Sequence, residues 1–318
     1  MEVWQFIYDK FTAQVNIMLL YVLQSEGSSP GRQGFKMAVA ADNSFCGSIG
    51  GGIMEHKFVE MAKAILQQDE GAGAIYRQVH DKSATKNQSG MICSGEQTIF
   101  LYKIQPRDID HIYALLLSLK EHKNGLLQLT NQGILFLNET PEENFFFEQK
   151  DETDFLLIEK TGFKNVLHII GGGHCALAFS KLMSTMDFYI SVYEERNDLN
   201  TMEQNIYAQK KAILPSYAAL KDIIYGGKNV YVVIMTFGYR TDDVAMKVLL
   251  GKHFRYIGLL GSRNKIEKMF TDYKVQDIND AWLQQVYSPI GIAIKSQTPQ
   301  EIAVSIAAEI IKEKNKDQ

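Results

Sequence analysis

Cysteine is rare in this sequence: 3 residues in 318, at Cys46, Cys93 and Cys175. Their spacing matches neither a disulfide framework nor a paired zinc motif, which points to a reducing, cytoplasmic compartment. Excess charge is also lacking. A net charge of −4 with 22% charged residues gives no footing for nonspecific binding to nucleic acid or membranes. No apolar run reaches the length of a membrane span. The opening MEVWQFIYDKF sets acids and amides where a signal peptide needs an unbroken apolar stretch. What is present is the 46% hydrophobic content of a globular protein, in a chain long enough for two domains.

The most informative stretch lies in the second half. Val166, Leu167, Ile169 and Ile170 form a short apolar run suited to a strand buried on both faces. Gly171, Gly172 and Gly173 follow, then Leu177, Ala178, Leu182 and Met186 at helical spacing. With Ala176 in the small third position, the spacing is G-x-G-x-x-A, the glycine turn that opens a dinucleotide-type α/β fold. Gly171 allows the tight turn, and Gly173 lets backbone approach a phosphate. A second strand, 188–192, leads to Glu194, about 20 residues past the glycines, where such folds place a ribose-binding acid. Three glycines at a helix N-terminus make an anion site by geometry.

Further on, Asn229–Thr236 and Tyr256–Leu260 read as buried strands, separated from the second strand by a polar helical stretch. Thr298-Pro299-Gln300-Glu301 carries a capping box that starts the last helix.

The first half has different organisation. Trp4, Ile7, Tyr8, Phe11 and Val15 recur at helical spacing, and Ile17–Leu23 is strand-like. A loop from Ser25 to Gly31 and a hairpin, 37–49, follow. Gly50, Gly51 and Gly52 then lead into a helix from about Ile53, a second anion site of the same physical kind. Arg32 and Lys36 stand near it as added positive charge. The whole is therefore α/β: an N-terminal mixed α+β domain (1–160) and a C-terminal Rossmann-like doubly wound parallel-sheet domain (161–318).

Gly27-Ser28-Ser29-Pro30 with Gly34 and Met37, and Gly47-Ser48-Ile49-Gly50-Gly51-Gly52 with Glu55, resemble the N-terminal domain of the XdhC/CoxI proteins. Ile170-Gly171-Gly172-Gly173-His174, Tyr256-Ile257-Gly258-Leu259-Leu260-Gly261-Ser262-Arg263, Pro289-Ile290-Gly291 and Thr298-Pro299-Gln300-Glu301-Ile302-Ala303 resemble that family's Rossmann domain. The resemblance spans nearly the whole chain. It implies an accessory protein that binds the molybdenum cofactor (molybdopterin or its dinucleotide), protects it, and delivers it to an apo molybdenum hydroxylase such as xanthine dehydrogenase. It also implies a homodimer, with a cysteine desulfurase as a further candidate partner.

On this reading Ser28, Ser29, Arg32 and Gly50–Gly52 serve one phosphate-binding pocket, and Gly171–Gly173, His174, Glu194, Ser262 and Arg263 the other, across an interdomain cleft. Cys93, in Gly90-Met91-Ile92-Cys93-Ser94-Gly95, is chemically either a buried apolar cysteine or a soft thiolate ligand. The resemblance selects the metal ligand, although Ser94 stands where the family has glycine. His174 either bonds a phosphate or caps its helix. Cys175 sits on a first helical turn, where the dipole lowers a thiol pKa, but it is expected to pack against the sheet. Relatives often carry a histidine where Phe237-Gly238-Tyr239-Arg240 stands here. The second domain alone suggests the alternative, an NAD(P)-dependent oxidoreductase, but no Ser-Tyr-Lys set follows the glycine turn.

Overall fold

The computed structural model describes residues 1–68, 73–79, 95–151 and 153–316. The chain divides into two compact units, Met1–Gly162 and Phe163–Gln318. Among the described residues no helix is long and apolar enough to cross a membrane.

The first unit runs α1 (Glu2–Thr12), β1 (Ile17–Gly27), β2 (Lys36–Ala40), β3 (Phe45–Gly47), α2 (Gly52–Gln68), β4 (Gly73–Val79), β5 (Gly95–Lys103), α3 (Ile109–Lys120), β6 (Gly125–Thr130), β7 (Gly133–Leu137), β8 (Phe145–Gln149) and β9 (Phe155–Thr161). It holds two antiparallel sheets, ordered β3-β2-β1-β5-β4 and β7-β6-β9-β8.

β1 explains why one apolar run serves two cores. Ile17, Leu19, Tyr21 and Leu23 join Trp4 and Ile7 of α1, Leu116 of α3 and Leu127 of the second sheet. Met18, Leu20 and Val22 face the other way, onto Met54, Phe58 and Ala62 of α2. The period-2 alternation of a strand divides the residues between the two faces. β1 also runs on to Gly27, through Ser25 and Glu26, where composition alone predicts a loop. β5 supplies the reason: past a bulge at Val22/Gln24 it pairs Gln24–Gly27 with Thr98–Gly95.

The second unit runs β10 (Asn165–Ile170), α4 (His174–Met183), β11 (Phe188–Glu194), α5 (Asn200–Gln204), β12 (Lys210–Ile213), α6 (Leu220–Ile223), β13 (Gly227–Ile234), α7 (Tyr239–Leu249), β14 (Phe254–Leu259), α8 (Arg263–Val275), α9 (Asp280–Leu283), β15 (Val286–Tyr287) and α10 (Pro299–Lys314). Its strands are all parallel, in the order β12-β11-β10-β13-β14-β15. Numbered within the unit, that is 3-2-1-4-5-6, the doubly wound order of dinucleotide-binding folds, with the switch point between β10 and β13. Buried side chains cover both faces, Val232 and Ile234 on one and Leu167, Tyr231 and Val233 on the other. The capping box of α10 forms as the sequence predicts, Thr298 Oγ accepting from the Glu301 amide and Glu301 from the Thr298 amide.

Candidate functional site

In the second unit the loops after β10, β11 and β13 meet at the switch point. Gly171 has φ +109°, and a Cβ there would lie 2.4 Å from the Met235 carbonyl oxygen. Glycine is needed because the turn runs against the backbone leaving β13. Gly172 donates its amide to Glu194 Oε2 at 2.8 Å. Gly173 is the N-cap of α4, with φ −71° and no side-chain cap. Nothing lies within 4 Å of where its Cβ would stand, so this glycine borders open space and can admit a ligand atom close to the backbone.

His174 is exposed on the first turn of α4. It lines a cavity of about 360 Å³ with Leu177, Lys181, Tyr207, Pro299 and Gln300 among its walls. Ser262 caps α8, its Oγ accepting from the Lys265 amide at 3.4 Å, and Arg263 is exposed beside it.

Glu194 has no exposed side-chain surface. One oxygen accepts from the Gly172 amide and Arg196 Nη2 (2.8 Å each), the other from the Glu195 and Arg196 amides and Arg196 Nε (3.0, 3.1 and 3.0 Å). Burial alone would raise its pKa. The Arg196 guanidinium and the surrounding amides outweigh that and hold it at about 2. The charged group facing solvent is therefore Arg196, whose guanidinium lies 5.1 Å from the centroid of the Phe237 ring.

Sequence reasoning passed over a second buried acid. Asp242 on α7 accepts from the Thr236 amide (3.2 Å) and hydroxyl (2.6 Å) and pairs with Lys265 of α8. It fixes the loop that carries Phe237, and desolvation raises its pKa.

The first unit holds the other glycine-rich cluster. Gly50, Gly51 and Gly52 have φ of +131°, +77° and +72°. The amides entering this turn are not bare: Glu55 Oε2 accepts from Ile49 N (2.9 Å), Gly51 N (3.0 Å) and Ser48 Oγ (2.6 Å). The anion already seated here is the chain's own carboxylate. Ser28 is exposed, while Ser29 is buried and donates its hydroxyl to the Gly31 carbonyl at 3.0 Å. Arg32 donates to the Gly27 carbonyl at 2.8 Å and so braces its own loop. Lys36 pairs with buried Glu159 at 3.0 Å, which removes it as a phosphate cation. Cys93 lies outside the described residues.

Gln97, on β5, was missed. Fully buried, it donates through Nε2 to the carbonyls of Gly31 (3.0 Å) and Ile49 (3.2 Å), tying the two glycine loops together. A polar residue entering an apolar strand was the available signal. Gln97→Met keeps the volume but removes this donor from both carbonyls, leaving Gly31 with the Ser29 hydroxyl. It is expected to cost about 1–3 kcal/mol in urea unfolding; an unchanged midpoint would show the cross-link to be dispensable.

Cys175 packs against the sheet's buried cluster, as expected. Burial raises its thiol pKa, so desolvation beats the helix dipole and the sulfur packs as a small apolar group. Among the described residues no group of three or more His, Cys, Asp or Glu could hold a metal ion.

Two family models match the chain: "XdhC Rossmann domain" over residues 167–310 and "XdhC and CoxI family" over residues 12–77. An uncharacterized Escherichia coli protein, YqeB, is 24% identical over 299 residues, which are 92% of this chain and 43% of that protein. A Bacillus subtilis protein described as a probable xanthine dehydrogenase subunit is 35% identical over 79 residues, 25% of this chain and 22% of that protein. The chain thus spans less than half the length of either relative. A crystal structure described as a xanthine dehydrogenase from Bacillus halodurans matches with a TM-score of 0.70 at 21% identity, covering 100% of this chain and 97% of that one. At that identity the likeness is one of fold.

Proposed function

The chain belongs to the XdhC/CoxI family, and from that premise we propose that it is an accessory protein of xanthine dehydrogenase-type molybdenum hydroxylases. It binds the molybdenum cofactor and hands it to the apoenzyme. The observation that carries this reading is the open glycine turn at the switch point, where an uncapped helix N-terminus at Gly173 leads into His174 and a cavity of about 360 Å³. Backbone amides there suit the phosphate of a pterin cofactor, and exposed Arg263 supplies a cation.

The donor set fits the phosphate end within the second unit. In the first unit, taken by itself, we propose Cys93 as a thiolate metal ligand and Ser28, Ser29, Arg32 and Gly50–Gly52 as cofactor-binding residues; Glu55 must yield if that unit's glycine turn takes a phosphate. Molybdenum would supply its redox chemistry in the client. This chain's residues bind, shelter and release. A homodimer, a cysteine desulfurase partner and a cytoplasmic setting belong to the same proposal.

Protein purified from a molybdenum-replete host is expected to carry near-stoichiometric pterin and molybdenum and to activate an apo-hydroxylase. Cys93→Ala is expected to keep the fold and lose most of the molybdenum. Folded protein with neither pterin nor metal would end the carrier reading. The buried, fully bonded Glu194 speaks against a ribose-binding oxidoreductase, and titration with NAD(H) and NADP(H) checks this directly.

A further inference from the structure

Resting on the carrier reading only for the choice of crevice, we propose that Arg196 and Phe237 form a stacking shelf for the flat nitrogen heterocycle of a phosphorylated ligand. A nucleotide base and a pterin ring share that chemistry. Phe237 is 67% exposed, yet it stands at the C-terminal end of a central strand of the sheet, one residue past Thr236. Ligands of open α/β sheets bind outside the carboxyl ends of the strands at the switch point. The ring is therefore apolar surface in the place where a ligand lies.

Three loops are stitched around it. The glycine turn abuts Met235 and Thr236, since a Cβ on Gly171 would sit 2.4 and 2.9 Å from their backbone atoms. Glu194 joins that turn to Arg196 through the Gly172 amide and two guanidinium nitrogens, Nε and Nη2. Thr236 is held by Asp242 and by the Thr241 hydroxyl at 2.6 Å. The Arg196 guanidinium, clamped at Nε and Nη2, lies over the Phe237 ring, most of which stays exposed.

A phosphate at the α4 N-terminus places an attached sugar-sized linker beside the loop after β11. A heterocycle beyond that linker meets Arg196 and Phe237. Aromatic and guanidinium surfaces stack any such ring with little regard to its edge pattern. The side chain of Glu194, buried beneath Arg196, orients this cation and does not read a ribose diol.

Isothermal titration of the full chain with AMP, CMP, GMP, neopterin monophosphate and ribose 5-phosphate tests the shelf. At least one ring-bearing probe is expected to bind roughly 5- to 50-fold more tightly than ribose 5-phosphate. Which probes do so separates a nucleotide source from a pterin source. Phe237→Ala should erase the difference with thermal stability unchanged, since the side chain is mostly exposed, and Phe237→Trp should keep it. Equal affinity for all probes, no binding of any ring-bearing probe, or an undisturbed preference in Phe237→Ala would overturn the shelf. Failure to load molybdenum with the ring preference intact would overturn the carrier reading alone. Cofactor loading without any ring preference would overturn the shelf alone.

Discussion

Gly171→Ala is expected to cost more than about 3 kcal/mol and to leave little soluble protein, while Gly173→Ala, two residues on, is expected to cost less than about 1 kcal/mol. At φ +109° an alanine is strained before any contact is considered. Its Cβ would then stand 2.4 Å from the Met235 oxygen and 2.7 Å from the Met235 carbonyl carbon. That backbone cannot retreat, because the Met235 amide donates to the Ile170 carbonyl at 2.8 Å and continues the β10–β13 ladder. Gly173 has an ordinary φ of −71° and nothing within 4 Å of its Cβ position. Alanine fits there without strain but occupies the space a phosphate would enter. Urea unfolding of the two variants beside ligand titration of Gly173→Ala separates a glycine required by the fold from one required by a ligand. If Gly173→Ala bound phosphorylated ligands as well as the parent, the glycine turn would be no more than a turn.

This contrast shows what the sequence could and could not convey. The strand–turn–helix of β10 and α4, the following β11, the central β13 and β14, and the capping box of α10 are local patterns that residues 165–194, 229–260 and 298–301 spell out. β12 was not legible. Lys210 and Lys211 at an exposed sheet edge give no apolar period, and Ile213, at its end, is 42% exposed. β15, two residues long, carries no period at all. In the first unit the extension of β1 to Gly27 depends on its partner β5, which no local reading contains.

The site followed the same division. Glycine spacing marked both turns, but whether an amide is free depends on residues folded onto it. Glu55 reaches back over one turn to fill the amides of Ile49 and Gly51. Glu194 stands where a ribose acid belongs, yet the Arg196 that follows it claims both its oxygens. A motif fixes where a group stands and leaves open what it bonds.

Glu194→Gln is expected to destabilise the second unit by about 3 kcal/mol near neutral pH and to make the lower part of its acid limb shallower. The sign follows from the pKa. The folded carboxyl, at about 2, lies below its ordinary 4.5 because Arg196 and the amides outweigh burial. Its stabilisation is therefore complete above pH 4.5 and is lost as pH falls toward 2; the gap corresponds to about 3 kcal/mol. His168 governs an earlier limb. Burial, reinforced by Lys210, lowers its pKa from 6.5 to about 4, so the unfolded chain takes up that proton first and stability declines between pH 6.5 and 4. Urea midpoints measured across pH 7 to 2 should show both limbs in the parent and, in Glu194→Gln, a shallower lower limb, the remainder coming from other carboxylates held low, Glu55 and Glu301 among them. Parallel curves below pH 4.5 would mean that Glu194 contributes no net charge–charge stabilisation. Arg196 would then owe its position over Phe237 to the ring itself, and Glu194→Gln should leave stacking on the shelf untouched.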